Sequence, residues 1–118
     1  MGLADSAISY YRMGLRIDSS VSEMHKRLGV VYASARRFDE SETEYRRALA
    51  LDPRGTEAYT LLGKLFHSLG RDRDAAKLLE EGSNKCTPDQ SYLQFLVQLY
   101  RTLGETPKET QLRSRFSF

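Results

Sequence analysis

The stretch LGKLFHSLGRDRDA, Leu62–Ala75, decides the fold, because the chain carries it three times in altered form. Shifted 34 residues upstream it meets LGVVYASARRFDES, Leu28–Ser41, and shifted 34 downstream it meets LVQLYRTLGETPKE, Leu96–Glu109. Leu28, Leu62 and Leu96 stand in one column, and Tyr32, Phe66 and Tyr100 in another four residues on. Residues four apart share a helical face, so each copy opens on an apolar helix stripe. Further along, Ser41, Tyr45 and Ala48 follow at i, i+4 and i+7, the spacing of a second helix face. Ala7 and Ala75 align with Ser41, Tyr11 and Leu79 with Tyr45, and Gly14 and Gly82 with Ala48, so the small–large–small order recurs. Each period predicts two helices of roughly 12–15 residues.

Gly29 and Gly63 fall inside the first helix of their periods. A glycine there costs about 0.5–1 kcal/mol relative to Ala. The missing Cβ implies a neighbouring helix in close approach, with Tyr59, Leu62 and Phe66 packed around the small residues. Gly70 and Gly104 read as helix ends in the left-handed conformation. Thr87-Pro88-Asp89-Gln90 and Thr106-Pro107-Lys108-Glu109 each read as a threonine cap, a first-turn proline and a residue that closes a capping box.

Composition narrows the function. The 118 residues are 40% hydrophobic and 29% charged, which fits one folded domain. A net charge of +2 is too small to argue for nucleic acid. The basic pairs Arg36-Arg37 and Arg46-Arg47, with Arg54, are interleaved with Asp39, Glu40, Glu42 and Glu44 and read as solvated helix faces. Cys86 stands alone and permits no internal disulfide, so a cytoplasmic setting is expected. No apolar run approaches the roughly 20 residues of a membrane span. MGLADS matches a myristoylation pattern, but no basic cluster follows to supply the second signal that stable anchoring needs, so no membrane partner is expected. His25 and His67 lie far apart with Cys86 distant, so no metal site is expected; no glycine-rich phosphate loop or nucleophile–base pair is present either. No cofactor and no enzymatic activity are expected.

The columns resemble the tetratricopeptide repeat (TPR) family, whose 34-residue pattern places a large apolar residue, Leu, Gly and Tyr on a first helix, then Ala, an aromatic, Ala and a closing Pro. Residues 22–55 carry Leu28, Gly29, Tyr32, Tyr45, Ala48 and Pro53, departing at His25 and Ser41. Residues 56–89 carry Tyr59, Leu62, Gly63, Phe66 and Ala75, with Leu79 and Gly82 as variants. Residues 4–20 resemble a second helix without its first. Residues 90–118 resemble a first helix, with Val97 in place of Gly, followed by a polar capping helix pinned by Leu112 and Phe116. The resemblance implies a single all-α domain, a helical-hairpin solenoid of about seven antiparallel helices in a right-handed superhelical stack.

The resemblance also implies that first helices line a concave groove holding a peptide or helix of a protein partner. Helical spacing puts Glu23, Lys26, Arg27 and Val30 on that stripe in the first repeat, Glu57, Thr60, Lys64 and His67 in the second, and Ser91, Gln94, Gln98 and Arg101 in the third. Lys26, Arg27, Lys64 and Arg101 against Glu23 and Glu57 give a moderately basic groove, suited to an acidic or carboxylate-bearing segment. A subfamily that clamps chaperone C-termini uses five Lys, Asn and Arg positions. Here those positions hold Lys26, Val30, Leu61, Ser91 and Phe95, one match in five, which argues against that clamp. The reading is a non-catalytic scaffold or adaptor. A targeting or regulatory segment of a larger enzyme or assembly is the alternative, and an RNA-binding helical repeat the third. Self-association through the unpaired N-terminal helix is a further expectation.

Overall fold

The computed structural model describes residues 2–18 and 20–118. Met1, which opens MGLADS, and Ser19, the counterpart of Pro53 in the repeat, lie outside the described residues. Among those described, seven helices follow one another and no strand occurs: α1 (Leu3–Ile17), α2 (Ser22–Ser34), α3 (Phe38–Leu51), α4 (Thr56–Ser68), α5 (Asp72–Gly82), α6 (Gln90–Leu103) and α7 (Thr106–Phe116). Each helix packs on its neighbours in sequence, and α2 also touches α4. This is an all-α stack of TPR-type hairpins, extended to 46 × 25 × 17 Å.

The repeat columns form the interior. Leu28, Leu62 and Leu96 are buried, as are Tyr32, Phe66 and Tyr100. Each large side chain contributes roughly 1.5–3 kcal/mol through burial. The small residues sit where large ones press in. A Cβ on Gly29 would lie 2.6 Å from the Tyr45 ring, and one on Gly82 would lie 2.5 Å from the Tyr92 hydroxyl and 2.7 Å from the Tyr59 ring. Gly63 is less confined: its Cβ would meet Phe95 at 3.2 Å and Leu79 at 3.5 Å. The close approach inferred from sequence is real, but Gly63 faces α6 as well as α5, and the contacts at Gly29 and Gly82 are tighter.

The two departures from the repeat pattern are both buried polar residues with partners. Ser41 donates its hydroxyl to the Gly29 carbonyl at 2.7 Å, so a serine fits a site built for alanine. His25 is buried with Glu44, Nδ1 to Oε2 2.7 Å, and Arg47 reaches the other Glu44 oxygen at 2.8 Å.

Three turns between helices are built alike. The backbone N–H of Arg37, Arg71 and Glu105 donates to the carbonyl of Tyr32, Phe66 and Tyr100 respectively, each at 2.8 Å. The residue before each donor has positive φ: Gly70 at 74° and Gly104 at 73°, as the sequence predicts, but Arg36 at 61°. Arg36 is therefore not part of a helix face.

The cap assignments need correction. Helix α6 is capped by Asp89, whose carboxylate accepts from the Tyr92 N–H at 2.8 Å, and not by Thr87. Pro88 lies before the cap. In α7, Glu105 stands at the N-cap without a side-chain cap bond, Thr106 is already helical, and Glu109 turns to Arg101 and Arg113 instead of closing a box. An acidic residue two positions nearer the helix takes the capping role from threonine at α6, and a stronger charged partner takes Glu109 at α7. Leu112 is buried, Phe116 packs partly on the core, and α7 packs on α6.

Candidate functional site on the first-helix face

The first-type helices α2, α4 and α6 share a face. Lys26 of α2 lies 3.6 Å from Glu57 of α4, and His67 of α4 meets the Phe95 ring of α6 edge-on at 6.0 Å between centroids. The helical pattern that buries the Leu and Tyr columns turns the remaining positions outward. Glu23, Arg27, Val30, Glu57, Lys64, His67, Ser91, Gln94, Gln98 and Arg101 are exposed, while Lys26 and Thr60 are half-buried.

Ion pairing redistributes the charge that the stripe carries on paper. Lys26 contacts Glu23 at 2.7 Å in addition to Glu57. Burial lowers the Lys26 pKa, but the Glu23 hydrogen bond and the Glu57 charge outweigh it, and the net shift is upward. Arg27 pairs with Glu23 at 3.1 Å. Its pKa is raised first by that bond and next by Tyr11 of α1. Arg101 forms a forked pair with Glu109 of α7, both bonds 3.0 Å, which raises its pKa and holds it toward α7. Lys64 has no ion pair among the described residues. His67 is tied to Asp72, Nδ1 to Oδ1 2.6 Å, and bridges the α4–α5 turn. Phe95 is partly buried between that contact and Gly63, so it belongs to the packing of α4 on α6.

Sequence spacing missed a cleft of about 610 Å³ beside Lys64. Ala33, Phe38, Tyr45, Leu61 and Leu65 supply its apolar walls, and Ser34, Arg36, Lys64 and Ser68 its polar groups. The signal was present in one column. Ala33 stands where the other two repeats have His67 and Arg101, and a small residue there leaves space.

Helix α1 exposes large apolar side chains on one side: Leu3 92%, Tyr10 68%, Met13 63% and Ile17 85%. Leu3, Tyr10 and Ile17 are seven residues apart and so nearly collinear along the helix. The opposite side of α1, with Ile8, packs on Leu28 and Tyr32. Among the described residues no group of three or more His, Cys, Asp or Glu side chains could hold a metal, and no helix is long and apolar enough to cross a membrane.

A TPR repeat family model matches residues 29–70. Superkiller protein 3 of Schizosaccharomyces pombe is 30% identical over 82 residues, covering 69% of this chain and 6% of that protein. The chain thus spans a small fraction of the curated relative it matches. Among solved structures, MamA superposes with a TM-score of 0.74 at 20% identity, covering 97% of this chain and 72% of that one. YrrB, described as a TPR protein with an unusual peptide-binding site, gives 0.76 at 13% identity over 89% of this chain and 54% of that one. The first TPR of Spaghetti, bound to an HSP90 peptide SRMEEVD, gives 0.74 at 22% identity over 86% of this chain and 82% of that one. Identities this low speak for the fold alone, but they join the 34-residue columns, the repeated turns and the family match, and the chain belongs to the tetratricopeptide repeat family.

Proposed function

We propose that the chain is a non-catalytic protein-interaction module that holds a segment of a partner protein on the face of α2, α4 and α6, and that the segment is acidic. Lys64 carries the reading. It is exposed at the middle of the stripe and unpaired among the described residues, whereas Lys26, Arg27 and Arg101 are occupied by Glu23, Glu57 and Glu109. An unpaired cation on an otherwise neutralised face attracts a carboxylate with little competition. That YrrB has a peptide-binding site and Spaghetti holds a peptide ending in EEVD supports a peptide as the class of ligand. The clamp positions favour a different mode of capture here, since Lys26 is spent on two glutamates and Leu61 and Phe95 are apolar. A cytoplasmic adaptor working on proteins, with neither nucleic acid nor membrane as partner, fits this face.

The test is binding of an acidic peptide array to the wild-type chain and to two reversals. Lys64→Glu is expected to weaken the bound peptides by about 1–3 kcal/mol at unchanged melting temperature. Arg46→Glu, at a residue that pairs with Glu42 at 3.0 Å on α3, is the control and leaves binding intact. Loss of binding in the Arg46 variant but not in the Lys64 variant sinks the assignment of the face.

The exposed stripe of α1 favours a second contact, self-association of the chain through Leu3, Tyr10 and Ile17. Tyr10→Glu is expected to abolish concentration-dependent sedimentation, and a wild-type chain that stays monomeric at millimolar concentration removes this contact.

A further inference from the structure

Taking the reading of the α2–α4–α6 face as given, we infer that the cleft beside Lys64 receives a partner segment with a large apolar side chain next to a carboxylate, and that Arg36 selects that carboxylate. Arg36 occupies a conformation that L side chains rarely adopt, φ 61°, in a turn where the next two repeats have glycine. The turn itself does not ask for arginine. Its hydrogen bonds, Arg36 N–H to the Ala33 carbonyl at 3.1 Å and Arg37 N–H to the Tyr32 carbonyl at 2.8 Å, involve only the backbone, and Gly70 makes the matching pair at 3.0 and 2.8 Å. Glycine at this position would close the same turn without strain, so the side chain is what the strained residue provides.

That side chain is placed for recognition. Arg36 lines the cleft together with Lys64, is exposed, and has no ion pair among the described residues. Its neighbour Arg37 is different: it pairs with Glu40 at 2.6 Å and stacks over the Tyr32 ring at 4.8 Å. Two unpaired cations therefore stand at the rim of a cleft walled by Phe38, Tyr45, Leu61 and Leu65. A guanidinium presents a planar fork that matches a carboxylate, and an ammonium beside it adds charge. The apolar walls admit a side chain of leucine or phenylalanine size, and Ala33 keeps the entrance open. Charge complementarity thus fixes the occupant as an acidic segment with an apolar anchor.

Titration of the full chain by two-dimensional amide NMR tests this with defined probes: acetylated, amidated Gly/Ser peptides with Leu-Asp, Leu-Asn or Ser-Asp at the centre, and one ending in Leu with a free C-terminal carboxylate. Leu-Asp is expected to shift the amides of Ala33, Arg36, Leu61 and Leu65, and to bind roughly tenfold tighter than Leu-Asn or Ser-Asp, as loss of one charged hydrogen bond or one buried anchor implies. The free-carboxylate peptide reports whether a chain end can replace the Asp side chain. Arg36→Gly is expected to raise the melting temperature yet weaken Leu-Asp roughly tenfold, while leaving Leu-Asn unchanged. A more stable Arg36→Gly variant with undiminished Leu-Asp affinity overturns the role of Arg36. Shifts confined to α6, abolished by Lys64→Glu, overturn the cleft while the interaction face stands. Absence of binding to any of the three first-type helices by these peptides and by the acidic array overturns both.

Discussion

Gly82 and Gly63 lie on paired helices of one hairpin, yet a methyl group added at each should have different consequences. At Gly82 the new Cβ would fall 2.5 Å from the Tyr92 hydroxyl and 2.7–2.8 Å from two Tyr59 ring atoms. Tyr92 is fully buried and Tyr59 nearly so, and the Tyr92 hydroxyl is held by the Leu79 carbonyl at 2.5 Å. Neither ring has room to withdraw. Overpacking of this kind costs about 1–3 kcal/mol. Displacing the hydroxyl from its acceptor costs about 1 kcal/mol or more, since both groups are buried. Better helix propensity returns at most about 1 kcal/mol. The net expectation for Gly82→Ala is a loss of about 2–3 kcal/mol, or a melting temperature lowered by roughly 8–12 °C for a chain of this size. At Gly63 the nearest atom is Cε2 of Phe95 at 3.2 Å, on a partly buried ring that can swing. Gly63→Ala should therefore stay within about 1 kcal/mol of wild type, and only a larger residue such as Leu should cost about 1–3 kcal/mol. Urea unfolding of the three variants, with the slope required to stay constant, measures the differences. A Gly82→Ala protein as stable as wild type, or a Gly63→Ala protein less stable than Gly82→Ala, refutes the packing argument.

His25→Leu removes one half of a buried polar pair and leaves Glu44 with Arg47 alone; a loss of about 3 kcal/mol is expected, largely recovered when Glu44→Leu is added, in a double-mutant unfolding series. Glu109 accepts from Arg101 and Arg113, first and second among the causes that lower its pKa. A lowered folded-state pKa stabilises the fold fully above the ordinary glutamate value of about 4.3, and this contribution fades as pH falls through the folded value. Docking of α7 should loosen on that acid side, and Glu109→Gln should flatten the acid limb of a melting-temperature profile; an unchanged limb means the Arg101–Glu109–Arg113 cluster does not hold the helix.

The fold was legible because its signal is periodic. Leu28, Leu62 and Leu96 repeat at a spacing that local chemistry alone does not produce, and each proved buried. The outward positions were legible for the same reason, since a residue on a known helix and off the apolar face must face away from it. Charge was not. Nothing in the chain order says that Lys26 will sit between Glu23 and Glu57, or that Arg101 will reach Glu109, because those pairs depend on which helices become neighbours. Capping failed for a narrower reason: Thr87 and Asp89 are both competent caps, and the choice depends on where the backbone turns helical. Arg36 was readable in principle, standing 34 residues before Gly70, but a left-handed arginine is unusual enough that the column reads more naturally as a charged surface.

The His25–Glu44 pair bears on how a chain of look-alike helices finds the right partners. At the equivalent places the second hairpin has Tyr59 and Leu78, and the last has Leu93 and Leu112, all apolar. Any of those apolar helices could in principle pair with another's mate, since the Leu and Tyr columns present nearly the same surface. Helices α2 and α3 could not. Setting α3 against α4 as its hairpin mate would bury Glu44 opposite Tyr59 and take it from His25, while α2 against α5 would set His25 on Leu78. Each exchange strands a buried polar group at a cost of several kcal/mol, more than the apolar surfaces could return by swapping. The buried His25–Glu44 pair thus favours α2 and α3 as each other's mates over their look-alikes.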